Sequence, residues 1–571
     1  MQKQAAIKLI AAAIATAMAG STWAFDFTLN DGAIRGNLDS TITLGLGVRA
    51  KAPGCDTVIG TTSPPGVGTI PTPPGGTDTA GCLDALSGYN DQGNLNYKKG
   101  QLFTEYLKGT HELLLRFPDD IKFMARANWV KDFAATRTSG YVSGIGDPAL
   151  TDDAKRELDF KSRLLDFWVS KEFDLNGERA RVRVGNQVIS WGESIFIAGG
   201  INQTNAVDIM RAAQPGTQIK EFLLPAPIAS IATGLGHGVN VEAYVQGRWN
   251  GNYFPPVGSY WSASTIGKGA DQVAGGAPFV AIPTAGTPKN GGQYGAAAHY
   301  QPEGTQLNLG AYAMNYHDKG PVVIQDAIGA PQYTYLEDRK LYGVSANFPL
   351  GNWAVGSELS YRPKDALPLN SMASPTGSCP DGKCYVEEAK YQFHLTGVLQ
   401  LSPGDHGAIL NLLGADTGLL LAEAAVVSYP HLQDYYTSSA GSLPIMAGGW
   451  TWGALTATDS LFTSGTVPVV ATKTSWGYNF DFSWTYDGSV IPGWQVTPEV
   501  YYFQAVKGRT PSAAATFMEG AKSANFVVTF TQNPAKWVIG LNYAKFLGGS
   551  NVFDQPLRGR DFYGAYVSRN F

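Results

Sequence analysis

Apolar and polar residues alternate along much of this chain, a pattern that predicts β-strands. From Leu38 to Val48 the even positions are mainly Leu, Ile and Val, and the odd positions are Asp, Thr and Gly. The same period of two recurs from Ile121 to Lys131. Successive side chains of a strand point to opposite faces, so each such strand separates two unlike media.

The strand-like stretches are joined alternately by short turns and long loops. Pro118–Asp120 and the sequences DLNGE and PLGN are short turns, whereas residues 51–99 form a long Pro/Gly-rich loop. Outer-membrane barrels have short periplasmic turns and long extracellular loops. We therefore predict an all-β fold, a transmembrane antiparallel β-barrel of about 18 strands (roughly 16 to 20), formed by residues 25–571 as one domain. A β-sandwich or a propeller would not require this alternation.

Residues 1–24 have the features of a signal peptide. Lys3 and Lys8 provide positive charge, an apolar stretch follows, and Thr22 and Ala24 are small residues at the spacing of a cleavage site before Phe25. The apolar stretch is too short for a transmembrane anchor. We expect an exported protein.

The last residues, RDFYGAYVSRNF, alternate in the same way and end on Phe571. A terminal strand that ends in Phe, in an exported chain, predicts the closing strand of an outer-membrane barrel. We expect Phe571 and its neighbours to close the barrel against the first strand, Ile34 to Ala50.

Composition agrees with a barrel and excludes other classes. Charged residues make up 16% of the chain, aromatic residues 12%, and 68 residues are Gly, which is charge-poor for a soluble enzyme. The net charge of -5 shows no excess of basic residues of the kind that binds nucleic acids. A mean hydropathy of -0.11 excludes a bundle of transmembrane helices, but it permits a barrel, in which only alternate residues meet lipid.

Four cysteines lie in two loop regions, Cys55 with Cys82 and Cys379 with Cys384. In an exported chain they suggest two disulfides, and pairing within each region is the simplest of the three connectivities. The first bridge would staple the outer loop 51–99. A metal site is the alternative, but no CxxC or histidine pair supports it, so we predict no metal and no cofactor.

In a barrel, the polar register of each strand faces the lumen. The predicted lumen residues carry both signs of charge: Arg49, Glu112, Arg116, Lys122, Arg126, Asp166, Glu172, Arg179, Arg181, Arg183, Glu242, Arg248, Glu358, Arg362, His394, Glu423, Asp481 and Glu499. Arg179, Arg181 and Arg183 share one strand face. They either form a basic ladder for an anionic group or pair with Glu172 and Asp166.

Residues 191–225 form the most unusual connection because they are apolar. A surface loop with this many large apolar residues, among them Phe196, Ile201 and Met210, would be costly to expose. We predict that much of it folds into the barrel as a constriction or plug; the alternative is a surface cap or partner-binding patch. The candidate constriction residues are Trp191, Glu193, Asn202, Asn205, Asp208 and Arg211, with Lys220 and Glu221 fixing the loop to the wall.

No sequence motif supports catalysis. The seven histidines are scattered, there is no HExxH, and GLGHG is predicted to be a hairpin turn without a following helix. A Ser/His/Asp arrangement can still form in space. We predict that the protein is not an enzyme.

Several stretches together resemble a known family. They include QVISWGES, GGINQTNAVD, LSYRPKDALPLN and the closing RDFYGAYVSRNF. The chain resembles the proteobacterial outer-membrane family catalogued as domain of unknown function 1302, although Thr204 and Ala206 depart from its usual INVINPVD. The resemblance implies a Gram-negative outer-membrane barrel. It also implies a periplasmic partner of the domain of unknown function 1329 type and an inner-membrane transporter of the resistance-nodulation-division class.

We therefore expect an outer-membrane channel or conduit for small hydrophobic or amphipathic molecules. The alternatives are a general diffusion porin, a barrel enzyme acting on lipids, and a surface adhesin. A conduit needs an inward loop with an apolar rim, a porin needs an open eyelet of mixed charge, and an enzyme needs a converging Ser, His and carboxylate.

Overall fold

The computed structural model describes most of the chain. The described residues are 25–52, 92–138, 149–262, 268–269, 286–325, 331–369, 379–438, 441–444, 471–511, 516–549, 554–555 and 557–571.

Eighteen antiparallel strands form a closed barrel, which confirms the predicted fold class. Each strand pairs with the next along the chain, and the last pairs with the first. In chain order they are β1 Ile34–Arg49, β2 Leu102–Arg116, β3 Ile121–Asp132, β4 Phe160–Leu175, β5 Glu178–Gln187, β6 Ala226–Gly236, β7 Val239–Gln246, β8 Gln293–Tyr300, β9 Asn308–Tyr316, β10 Arg339–Leu350, β11 Trp353–Pro368, β12 Tyr385–Leu401, β13 Thr417–Ser428, β14 Thr474–Ile491, β15 Trp494–Lys507, β16 Ala521–Gln532, β17 Trp537–Gly548 and β18 Phe562–Asn570.

The barrel closes where β1 meets β18, as the terminal sequence predicted. Their register runs from Thr41 opposite Asn570 to Arg49 opposite Phe562. The backbone N–H of Phe571 donates to the carbonyl oxygen of Ser40 over 2.8 Å. A short strand, Phe25–Leu29, pairs with the start of β1 and continues the seam beyond the end of β18.

The two faces of the wall differ as the alternation requires. On β12, the outward side chains Phe393 and Leu395 are exposed, whereas His394 between them is 0% exposed and faces inward. The outward surface is therefore apolar and the inner wall polar.

The connections also contain short helices and strands. The helices are Gln92–Leu95, Asp152–Asp159, Ile209–Ala212, Ile219–Phe222 and Pro403–Leu413, with a 3-10 turn at Pro380–Gly382. The small strand pairs are Ala206–Val207 with Leu223–Leu224, Val322–Gln325 with Pro331–Thr334, and Tyr435–Ser438 with Gly441–Pro444. Within the described residues, no helix has the length and apolar character needed to cross a bilayer.

The connection between β12 and β13 contains a helix, Pro403–Leu413, that the sequence patterns do not predict. Its Pro and its two Gly residues are weak helix formers, so local propensity gave no signal for it. Packing of Leu410 against the barrel stabilises the helix instead.

The Cys379–Cys384 disulfide is present, as predicted, and its sulfur atoms are 1.96 Å apart. It closes a loop beside the 3-10 turn Pro380–Gly382. Cys55 and Cys82 lie outside the described residues.

The last residues of the predicted loop 51–99 are packed against the barrel. Arg49, fully buried at the end of β1, donates to the carbonyl oxygens of Asn94 over 2.5 Å and Tyr97 over 2.7 Å. It also donates to the carbonyl oxygen of Gly559 over 2.7 Å. The ring of Tyr97 lies in an aromatic cluster with Phe103, Tyr260, Trp261 and Phe562. One guanidinium group thus ties two outer loops to the barrel seam.

Replacement of Arg49 with Ala should loosen this outer end. Each buried carbonyl left without a donor costs about 1–3 kcal/mol, so we expect a loss of about 3 kcal/mol or more in the free energy of unfolding. The measurement is the midpoint of the heat-induced gel mobility shift. The exposed neighbour Lys51, replaced with Ala, is the matched control, and equal midpoints for the two variants would contradict the prediction.

Candidate functional site

Residues 191–225, here called the inner loop, connect β5 to β6 and lie against the inner wall of the barrel. Their hydrogen bonds reach β11 and β13 through Glu358 and Glu423, and β2 through Lys108 and Glu112. These strands lie on widely separated parts of the ring. The inner loop therefore extends across the lumen from one part of the wall to another.

Glu358, on the inner face of β11, holds the first part of the inner loop by its backbone. Its Oε2 accepts from the N–H of Glu193 over 2.6 Å and of Ser194 over 3.3 Å. Its Oε1 accepts from the N–H of Ile201 over 2.9 Å. The carboxylate is buried, so these bonds are charge-assisted and shielded from water.

Glu423, on the inner face of β13, holds the backbone of residues 195–197 in the same way. Its Oε2 accepts from three successive backbone N–H groups, those of Ile195, Phe196 and Ile197, over 3.1, 2.6 and 3.0 Å. Successive N–H groups that converge in this way form a concave anion site. The other oxygen, Oε1, is 2.6 Å from Nδ1 of His394 on β12. Each wall carboxylate thus satisfies N–H groups that the loop itself leaves unpaired.

Glycines allow this close approach. A Cβ atom on Gly192 would lie 2.3 Å from Oε2 of Glu358, and one on Gly200 would lie 1.8 Å from Oε1 of Glu358. Gly192 also has a φ of +89°, which disfavours other residues. The sequence interpretation placed Glu358 and Glu423 on the inner wall but missed their role. These glycines within an otherwise apolar loop were the available signal.

Trp191 and Glu193 extend the contact toward β7–β10. The indole Nε1 of Trp191 donates to Oε2 of Glu242 over 2.8 Å, and its ring packs against Tyr244. Oε1 of Glu193 accepts from Nδ2 of Asn347 over 3.0 Å. Both predicted site residues are therefore bound to the wall.

The second part of the inner loop is held by charged side chains on β2. Glu221 pairs with Nζ of Lys108 over 2.6 Å and accepts from Oγ1 of Thr110 over 2.5 Å. Lys220 pairs with Glu112. Burial opposes ionisation, but the Lys108 ammonium group and the hydrogen bonds from Lys108 and Thr110 outweigh it and lower the pKa of Glu221.

Asp208 and Arg211 do not line a passage, contrary to the sequence interpretation. Asp208 is buried, pairs with Arg163 and caps helix Ile209–Ala212 by accepting from the N–H of Arg211 over 2.9 Å. The buried Arg211 side chain donates to Gln214 over 2.8 Å. Asn202 is exposed, and the Asn205 amide is bonded to the backbone of Ile189.

The three arginines of β5 do not behave alike. Arg179 pairs with Glu172, which is the ion-pair alternative and not the basic ladder. Asp166, the other proposed partner, pairs with Arg126 instead. Among the described residues, neither Arg181 nor Arg183 has a carboxylate within ion-pair distance, and the Arg183 guanidinium lies 4.2 Å from the centre of the Trp168 ring.

Two acidic residues lie half-way around the ring from these arginines. Asp481 on β14 and Glu499 on β15 both face inward. Ser483, two residues after Asp481 and therefore on the same face, is the cross-strand partner of Glu499. Within the described part of the chain, no Lys or Arg lies within ion-pair distance of either carboxylate. The lumen therefore has two arginines without an ion-pair partner on one side, Arg181 and Arg183, here called the basic wall, and two such carboxylates on the other, Asp481 and Glu499, here called the acidic wall.

A serine of β1 and a histidine of β2 lie within hydrogen-bond distance of each other. Oγ of Ser40 lies 3.0 Å from Nδ1 of His111, and Nε1 of Trp129 donates to Nε2 of His111 over 3.1 Å. Because indole can only donate, the neutral ring must carry its proton on Nδ1 and donate to Ser40. This arrangement does not activate the serine as a nucleophile.

Over the ranges that the structure describes, no group of three or more His, Cys, Asp or Glu side chains is arranged to hold a metal ion.

The closed wall of 18 antiparallel strands in the described residues, with its apolar outward face, defines the protein as a transmembrane β-barrel. The chain belongs to the family described as Protein of unknown function (DUF1302), whose model matches residues 5–571. No curated protein matches the chain.

Several solved structures show a remote likeness. OpdK of Pseudomonas aeruginosa with vanillate is 10% identical, with 94% of this chain and 98% of that chain covered and a TM-score of 0.38. OccAB1 of Acinetobacter baumannii is 10% identical, with 97% and 99% covered and a TM-score of 0.42. OccK2 (OpdF) of P. aeruginosa with glucuronate is 10% identical, with 94% and 97% covered and a TM-score of 0.38. Because these identities and TM-scores are low, the barrel is defined by its own strand pairing.

Acidification should release the second part of the inner loop. Because the pKa of Glu221 is lowered in the folded protein, its stabilising effect is complete above the ordinary value of about 4.3 and is lost as the pH falls through the folded-state value. A nitroxide on Gln218→Cys should become more mobile in that acidic range. Glu221→Gln should be mobile already at neutral pH, and equal mobility of the label with and without Glu221→Gln at neutral pH would contradict the assignment.

Proposed function

We propose that this protein is an outer-membrane channel for small amphipathic molecules, in which the inner loop is the constriction. The observation that carries the proposal is the attachment of the inner loop to buried carboxylates on the wall, Glu358 and Glu423. A loop held in this way narrows the lumen at a fixed position. A surface cap would have no reason to approach the inner wall.

The exposed surface of the inner loop favours an apolar cargo. Ile195 is 41% exposed, Ile209 37% and Ile219 67%, although all three belong to a loop that is anchored inside the barrel. Large aliphatic side chains left in contact with water mark a surface suited to an apolar ligand. They support an apolar rim, the feature that would distinguish a conduit from a general diffusion porin.

The basic wall favours a cargo with an anionic end. Arg181 and Arg183 have no carboxylate partner among the described residues, and arginine recognises carboxylate and phosphate groups through paired hydrogen bonds. An amphipathic anion would place its apolar part against the inner loop and its charge against β5. The acidic wall, with Asp481 and Glu499, would repel the same charge and orient it.

The protein is further proposed to reside in the outer membrane and to exchange cargo with a periplasmic partner. The apolar outward surface supports insertion in a bilayer. The proposed partners are those that the resemblance implies, a protein of the domain of unknown function 1329 type and a resistance-nodulation-division transporter. Co-purification of the tagged barrel with such a periplasmic protein is the measurement. Absence of any association after cross-linking would remove the partner from the proposal.

Release of the inner loop from the wall should increase conductance. Glu423→Ala removes the acceptor of three backbone N–H groups, and the double variant with Glu358→Ala removes the acceptors of six and should have the larger effect. Hydrogen bonds to a charged group contribute about 1.5–3 kcal/mol each, so the loop should detach and single-channel conductance in planar bilayers should rise. Glu423→Gln keeps one carbonyl acceptor and should be intermediate.

Glu172→Gln is the matched control for that experiment, because Glu172 is an inner-wall carboxylate that pairs with Lys122 and Arg179 rather than with the inner loop. Its conductance should equal that of the unchanged protein. No conductance in any form would exclude the channel. Equal conductance in all forms, including a deletion of residues 195–218, would leave a channel without this constriction, as in a general diffusion porin.

Replacement of both Arg181 and Arg183 with Gln should weaken block of the current by an amphipathic carboxylate. Loss of one or two charge-assisted hydrogen bonds corresponds to a roughly ten- to hundred-fold higher blocking concentration. An alcohol with the same apolar tail should block both forms alike. Equal carboxylate block before and after the substitutions would remove the arginines from cargo recognition.

A further inference from the structure

The connection between β12 and β13 contains helix Pro403–Leu413, here called the rim helix. It starts with Pro403 in its first turn and ends at Gly414, whose φ of +62° terminates it in the left-handed conformation. This connection belongs to the same end of the barrel as the short turns, which is the periplasmic end of an outer-membrane barrel.

The rim helix packs on the outside of the barrel. Leu410 is almost fully buried against Leu399 and Leu401 of β12, with Leu420 of β13 and Phe482 of β14 beside them. These strand residues belong to the outward register, which also contains the exposed Leu395 and Val426. The hydroxyl of Tyr486 donates to the carbonyl oxygen of Leu413 over 2.8 Å and holds the end of the helix against the wall.

The side of the rim helix away from the wall is uncovered and carries two large apolar side chains beside the polar Asp405 and Asn411. Leu412 is 87% exposed and Ile409 is 47% exposed. With successive residues about 100° apart, Leu412 points away from the wall, whereas Ile409 and Asn411 lie on opposite flanks. The helix contains no Lys or Arg, and its only acidic residue, Asp405, is in the first turn.

We propose that the rim helix is an interfacial membrane anchor whose Ile409 and Leu412 insert among the acyl chains of the periplasmic leaflet. The inference rests on the proposed membrane location of the barrel. Lipid is the occupant because Leu410 seats the helix on the outward register of β12–β14, which is the side of a membrane barrel that meets the bilayer. Trp353, which packs on the same cluster, begins β11 at this end, where aromatic residues mark the membrane interface.

The charge of the rim helix distinguishes this mode of binding from electrostatic attachment. An interfacial helix that binds anionic headgroups carries Lys and Arg on its polar face. The rim helix has neither, so insertion depends on its apolar side chains. Contact with lipid should therefore be the same in zwitterionic vesicles and in vesicles that contain phosphatidylglycerol.

The experiment places a nitroxide on Leu412→Cys in the full-length, oxidised protein reconstituted in phosphatidylcholine vesicles. Accessibility to oxygen, which concentrates in the bilayer, is compared with accessibility to a water-soluble nickel chelate. Val344→Cys, on the outward face of β10, is the lipid reference, and Asn352→Cys, in the exposed turn after β10, is the aqueous reference. The unchanged protein, treated in parallel, gives the background from native thiols.

The expected result is an oxygen-to-nickel ratio at Leu412 that is shifted toward Val344, with Asn411→Cys shifted toward Asn352. Preferential access to nickel at Leu412 would show that the helix lies in water and would overturn the proposal. Protection from both reagents would mean that a second copy or another protein covers the helix and would overturn it too. If Val344 itself does not report lipid, the proposed membrane location fails, an outcome distinct from failure of the rim helix alone.

Discussion

The interior of this barrel depends on buried carboxylates that accept hydrogen bonds from the backbone of the inner loop. A loop without regular structure leaves its N–H groups unpaired, and burying them unpaired costs about 1–3 kcal/mol each. Glu358 and Glu423 satisfy six such groups, and each carboxylate gains the donors that its own burial requires. Wall and loop are therefore interdependent, because either one alone would leave polar groups unsatisfied in the lumen.

This attachment by backbone leaves the side chains of the inner loop free for another purpose. Because Glu423 binds the N–H groups of residues 195–197 and not their side chains, Ile195 can remain exposed while Ile197 packs against the wall. The same separation occurs in the second part of the loop, where Glu221 pairs with Lys108 and Ile219 stays uncovered. The proposed apolar rim is a consequence of anchoring through polar groups.

Charge is distributed unequally around the lumen. On β2–β4 most cations and carboxylates neutralise one another, as in the contacts of Arg126 with Glu112 and Asp166. Arg181 and Arg183 on one side, and Asp481 and Glu499 on the other, have no such partner among the described residues. In the proposed channel, a molecule that passes the inner loop would meet opposite charges on opposite walls, and this supports the proposal of an elongated cargo with one charged end.

The sequence by itself determined the barrel, its closing strand, the alternation of turns and loops, the second disulfide and the inward register of Glu358 and Glu423. These features follow from periodicity and short-range spacing, which local sequence records directly. Only the tertiary structure decided which N–H groups those carboxylates bind, and that Asp208 and Arg211 are buried and not in a passage. It alone also revealed the rim helix, whose local propensity is weak. Contacts between residues far apart in the chain depend on where the folded wall places them, and no local pattern encodes that distance.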